Sequence, residues 1–103
     1  ERLIGRKTLE YMSADALGTI PSHSDLLQAG YGFGLGFAVR HANGVAADSI
    51  GSAGMFHWSG IAGTTFWVDP REQMFAILMI QAPGQRETYR PMYRNLVYSA
   101  LVD

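Results

Sequence analysis

Residues 56–80 read FHWSGIAGTTFWVDPREQMFAILMI, and their punctuation decides the fold. The run Phe56–Trp58 ends at Ser59-Gly60, and Gly63 follows three residues later. Glycines there let the backbone bend back without a Cβ clash. The run Thr64–Val68 leads to Asp69-Pro70. That pair opens a turn, because proline presets φ and aspartate accepts nearby backbone N–H groups. Seven consecutive apolar residues follow, Met74–Ile80. Short aromatic and β-branched runs between turn signals predict antiparallel strands. The last run lacks polar alternation, so it is expected to be buried on both faces, with helices or another layer on each side of the sheet.

Upstream, Asn43-Gly44 sits between FAVRH (37–41) and the run that enters Phe56. Both residues tolerate positive φ, which predicts a hairpin. Earlier still, glycines at 30, 32, 34 and 36 alternate with Tyr31, Phe33, Leu35 and Phe37. Period two predicts one strand with a glycine face. A phosphate-cradling GxGxxG is excluded, since the sixth position is Leu35 from Gly30 and Phe37 from Gly32. The glycine face should instead admit a closely packed neighbour. Residues 6–17 place Leu9, Met12, Ala16 and Leu17 at helical spacing, with Gly18 as a stop and a loop over 18–30. Residues 86–103 carry Tyr89, Tyr93, Leu96, Val97, Ala100 and Leu101 at steps of three and four. They predict a C-terminal amphipathic helix starting around Thr88–Arg90, because Pro91 fits only near a first turn. The expected class is α+β: an antiparallel meander of about four strands, flanked by helices.

The chain has 103 residues and a net charge of −1, so it has no electrostatic footprint for nucleic acid or an anionic membrane. No apolar run is long enough to span a bilayer. Cysteine is absent, and His23, His41 and His57 lie far apart with no HExxH, so no metal site is expected. No cofactor motif is present. A last strand buried on both faces needs more helical cover than two short helices supply. The 103 residues are therefore expected to be part of a larger unit.

None of the seven serines lies in GxSxG or is followed at the third position by lysine. The chain thus holds neither the nucleophile elbow nor the Ser-x-x-Lys pair in which a lysine activates serine. Tyr93-Arg94-Asn95 reads as a core tyrosine beside a surface asparagine. His57 is either a general base or a hydrogen-bonded strand histidine, and the spacing favours the latter. Trp58 and Trp67 read first as core aromatics.

Taken whole, GSAGMFHWSGIAGTTFWVDPREQMFAILMIQ (51–81) resembles the C-terminal part of serine beta-lactamase-like hydrolases. These are the class C beta-lactamases, penicillin-binding proteins and, most closely, the family VIII carboxylesterases. In that fold a Lys-Thr-Gly box lies on a strand beside the active site, followed by a returning strand, Asp-Pro and an apolar strand. Here Trp58-Ser59-Gly60 follows His57 at the box position, as the Trp-x-Gly of the esterase branch does. GRKTLEYM (5–12) and GYGFGLGF (30–37) are similar to segments that precede the box.

The resemblance implies that residues 1–103 form the C-terminal portion of one beta-lactamase-like α/β sandwich domain. It implies an acyl-enzyme mechanism in which a serine attacks an ester or lactam carbonyl. Ile61 N–H would supply one oxyanion-hole donor, and Trp58, Ser59 and Gly60 would line the substrate. The nucleophile would come from an N-terminal segment or second chain carrying Ser-x-x-Lys, so this chain alone is expected to be inactive. Trp58 replaces a cation with apolar surface and one N–H donor, which favours neutral esters. Arg86 or Arg90 is a candidate replacement cation. The alternatives are a beta-lactamase or D-amino-acid peptidase of the same fold, or a non-catalytic binding domain.

Overall fold

The computed structural model describes residues 1–20, 27–41 and 49–102. Helix α1 (Arg6–Met12) precedes five strands: β1 (Tyr31–Phe33), β2 (Ala38–Arg40), β3 (Phe56–Ser59), β4 (Thr65–Asp69) and β5 (Met74–Leu78). A 3-10 turn over Pro83–Gln85 runs into helix α2 (Arg86–Ser99). The strands form one antiparallel sheet in the order β1-β2-β3-β4-β5. The class is α+β, as expected. The predicted Asn43-Gly44 hairpin lies outside the described residues, although β2 and β3 do pair antiparallel.

The sheet has one strand more than expected, because the second half of the alternating glycine stretch is a turn that separates β1 from β2. The chain turns at Gly34–Phe37, where Gly34 N–H donates to Phe37 O at 2.8 Å and Gly36 takes φ of 108°. That left-handed conformation is cheap only for glycine. The glycine face is used for close approach. After α1 ends, residues 12–17 cross β1: Leu35 N–H reaches Met12 O at 2.9 Å and Ala16 N–H reaches Phe33 O at 2.8 Å. A Cβ on Gly32 would overlap the Asp15 carboxylate and the His41 ring, and one on Gly34 would overlap the Met12 and Ala14 carbonyls. Asp15 ties this crossing together, accepting from Leu17 N–H, Phe33 N–H and His41 Nε2. The helix is therefore shorter than residues 6–17, because the chain beyond Met12 bonds to β1 instead of to itself.

α2 packs on one face of the sheet. Trp67, fully buried in β4, lies 5.6 Å from the Tyr93 ring and 6.0 Å from the Tyr98 ring, centroid to centroid. The register sets His57 beside Trp67 and Ser59 beside Thr65 on that face. On the opposite face Phe37 meets Phe56 at 5.1 Å and Phe66 at 6.2 Å. β5 is not buried on both faces. It is the edge of the sheet, and α2 shields only Met74, Ala76 and Leu78; Phe75 is 71% exposed and Ile77 54%. α2 starts at Arg86, before the predicted Thr88–Arg90, and holds Pro91 inside it. Pro91 lies in the second turn and removes only the bond that its N–H would have made to Glu87 O.

Candidate active site

The β3–β4 connection is a five-residue bend. Gly60 N–H bonds Thr64 O at 2.9 Å and Gly63 N–H bonds Gly60 O at 3.1 Å, so residues 60–63 close as a β-turn. A Cβ on Gly60 would strike the Thr64 hydroxyl. Gly63 adopts φ of 120° with Ile80 and Ala82 close by, which excludes a side chain. The cross-strand hydroxyls of Ser59 and Thr65 lie 2.8 Å apart and stitch the end of the hairpin. Gly60 is thus required first by crowding inside the hairpin.

Between this bend and the first half of α2 lies a cleft of about 400 Å³, lined by Trp58, Ser59, Gly60 and Ile61 from the sheet and by Arg86, Arg90 and Arg94 from the helix. The four residues expected at the site therefore share one cavity. They do not share one sheet face. Ser59 lies on the face that carries His57 and Trp67, and Trp58 alternates to the other, opposite Phe66 and edge-on to Phe33 at 5.5 Å. Ile61, at the tip, is 82% exposed, and its N–H has no partner among the described residues.

The helix side is strongly cationic, because steps of four put Arg86, Arg90 and Arg94 on one stripe. Arg94 is buried; it donates to Tyr31 Oη at 3.2 Å and Ser49 Oγ at 3.1 Å, and lies over the Trp67 ring at 5.4 Å. Arg90 donates through Nη2 to Gly60 O and also to Thr64 O at 3.3 Å. Burial, then Arg86 and Arg94, lowers the Arg90 pKa from its usual value. Arg86 has no side-chain hydrogen-bond partner among the described residues. None of the three pairs with a carboxylate among the described residues. The Arg94 contribution was missed in the sequence, although the spacing 86, 90, 94 carried the signal.

His57 is not the hydrogen-bonded strand histidine expected from its sequence setting. Both ring nitrogens are buried without a partner among the described residues, and the ring meets Tyr31 edge to face at 4.9 Å. Burial, then the charges of Arg94 and Arg90, depresses its pKa to about 3. It is a neutral ring in a cationic surrounding. Tyr93 donates to Ile77 O at 3.1 Å and packs on Trp67, which is a core role. Asn95 is more than a surface residue: its Oδ1 accepts from Ile50 N–H at 2.8 Å and pins the approach to β3.

Among the described residues no cluster of three or more His, Asp or Glu could hold a metal, and no helix is long and apolar enough to cross a membrane. Comparison with curated proteins yields no match. The family model described as Beta-lactamase matches residues 1–99. With nearly the whole length matched and a five-stranded antiparallel sheet backed by α2, the chain belongs to the beta-lactamase family, a family of serine hydrolases.

Proposed function

We propose that the chain is the C-terminal portion of a serine carboxylesterase, completed by a segment or second chain that carries Ser-x-x-Lys. The observation that carries this reading is Trp58-Ser59-Gly60 at the edge of the cleft, where the beta-lactamase box has a lysine. The completed site holds the ester carbonyl against Ile61 N–H. The serine attacks the carbonyl carbon, the alcohol leaves, and water releases the acid from the acyl-enzyme. Trp58, Ser59 and Gly60 line the bound acyl or alcohol group. No cofactor is needed for these steps. An oxyanion donor of this kind lowers the barrier by about 3–4 kcal/mol.

A second reading rests on Arg86, the cleft arginine whose side chain makes no hydrogen bond among the described residues. A free guanidinium there suits the carboxylate of a beta-lactam or D-peptide. The two readings separate on the completed enzyme: p-nitrophenyl acetate or butyrate should turn over faster than a cephalosporin, and Arg86→Ala should leave the ester rate unchanged. Cephalosporin hydrolysis as the dominant activity, lost in Arg86→Ala, would establish the second reading instead.

A further inference from the structure

The Gly60–Ile61 peptide is held asymmetrically. Its carbonyl accepts two hydrogen bonds, one from Gly63 N–H inside the turn and one from the Arg90 guanidinium thirty residues away. Its N–H, on the Ile61 side, has none among the described residues, and Ile61 is an exposed residue of the cleft lining. The same Arg90 nitrogen also reaches Thr64 O at 3.3 Å, so one cation bridges both strands leaving the bend. Arg90 is itself part of the cleft wall, and its Nε is buried.

A peptide is one conjugated unit, so drawing electron density onto its oxygen makes its N–H a stronger donor. A charged donor does so more strongly than a neutral one. We propose that Arg90 is a positioning residue for the oxyanion donor. By charge-assisted hydrogen bonding to Gly60 O it orients and polarises the Gly60–Ile61 peptide, so that Ile61 N–H meets developing negative charge with a preset, strengthened dipole. The inference deepens the esterase reading and rests on it for its catalytic consequence. Arg90 thereby acts through the backbone and need not touch the substrate. This assigns the three arginines different tasks: Arg94 is packed on Trp67, Arg90 serves the turn, and Arg86 lines the cleft without a partner among the described residues.

The test uses the completed enzyme with Arg90→Ala and Arg90→Gln, a p-nitrophenyl ester, and amide NMR of Ile61. The glutamine can still donate to Gly60 O but carries no charge. For Arg90→Ala, kcat should fall about ten- to a hundredfold with KM changed less than about threefold, and added methylguanidinium should restore part of kcat. Arg90→Gln should fall between alanine and wild type. Inhibition by a phenylboronic acid, which places an oxygen in the oxyanion position, should weaken in step with kcat. The Ile61 amide proton should shift upfield in both variants. Unchanged kcat in a folded variant, or a loss carried wholly by KM, overturns the proposal. Should Arg90→Ala fail to fold, Arg90→Gln decides by the same criteria. Wild-type protein without ester hydrolysis would sink the esterase reading alone, because the Ile61 amide shift still reports whether Arg90 polarises that peptide. An unmoved shift then overturns the polarisation itself.

Discussion

The two ends of β4 are both anchored by α2, and they are anchored in opposite ways. At one end Tyr98 Oη donates to Asp69 Oδ2 at 2.5 Å, while Asp69 Oδ1 accepts Arg71 N–H at 3.0 Å and Glu72 N–H at 3.2 Å. Asp69 is fully buried and each of its oxygens is used. At the other end Arg90 holds Gly60 O while Ile61 N–H has no partner among the described residues, and midway along β4, opposite Trp67, His57 has two buried nitrogens that also lack one there. Buried polar atoms without partners cost free energy. A fold that closes one end of a strand completely and leaves spare donors at the other has separated stability from binding. The Asp69 end is a lock, and the Gly60 end is where a ligand can be met.

That contrast can be broken at either end. The largest effect is expected from Ile61→Pro in the completed enzyme. Ile61 is the second residue of the Gly60–Gly63 turn, where proline's φ fits. The substitution therefore removes the N–H with little strain, and kcat for an ester should fall about 10²–10³-fold. Near-wild-type kcat in steady-state assays would show that Ile61 N–H is no oxyanion donor. Asp69→Ala should do the reverse. It orphans Tyr98 Oη and two backbone N–H groups, so urea denaturation should register a loss of about 2–4 kcal/mol, with kcat of the surviving folded fraction nearly intact.

The middle of β4 and its Asp69 end respond on opposite sides of neutrality. His57 has its pKa depressed from 6.5 to about 3 in the folded protein, so the unfolded chain binds its proton first. Its contribution to stability is present above pH 6.5 and is lost as pH falls from 6.5 toward 3. His57→Leu should flatten the acid limb of a stability-versus-pH curve over that window, and an unchanged limb would mean that the ring is solvated. Tyr98 is raised above its usual 10 by burial and then by Asp69. Its contribution is present below pH 10 and is lost as pH rises above that. Tyr98→Phe should cost about 1 kcal/mol at pH 7 and remove the alkaline part of the slope.

Much of this was readable from the chain. Asp69-Pro70 and Gly60 to Gly63 announced both turns of β4, because proline geometry and missing Cβ atoms are local properties. The tail's three-and-four spacing announced α2. The beta-lactamase-like resemblance also held at the level of family and fold. Other features were not readable. Period two over residues 30–37 reads as one continuous strand, and only the bonding of Gly34 to Phe37 and the conformation of Gly36 show that its second half is a turn into β2. Met74–Ile80 looked like a strand covered on both sides, yet β5 is a sheet edge with Phe75 outward. Apolar run length reports a segment's tolerance for burial, and strand order decides whether burial occurs.

The sequence by itself determined the local punctuation: where the chain can turn, which segments are helical or extended, and that neither Ser-x-x-Lys nor GxSxG is present. Tertiary structure alone decided which polar atoms meet. Arg90 and Gly60 are thirty residues apart, and Tyr98 and Asp69 twenty-nine. No local spacing predicts such pairs, because they exist only once α2 lies across the sheet and brings one face of the helix over both ends of β4.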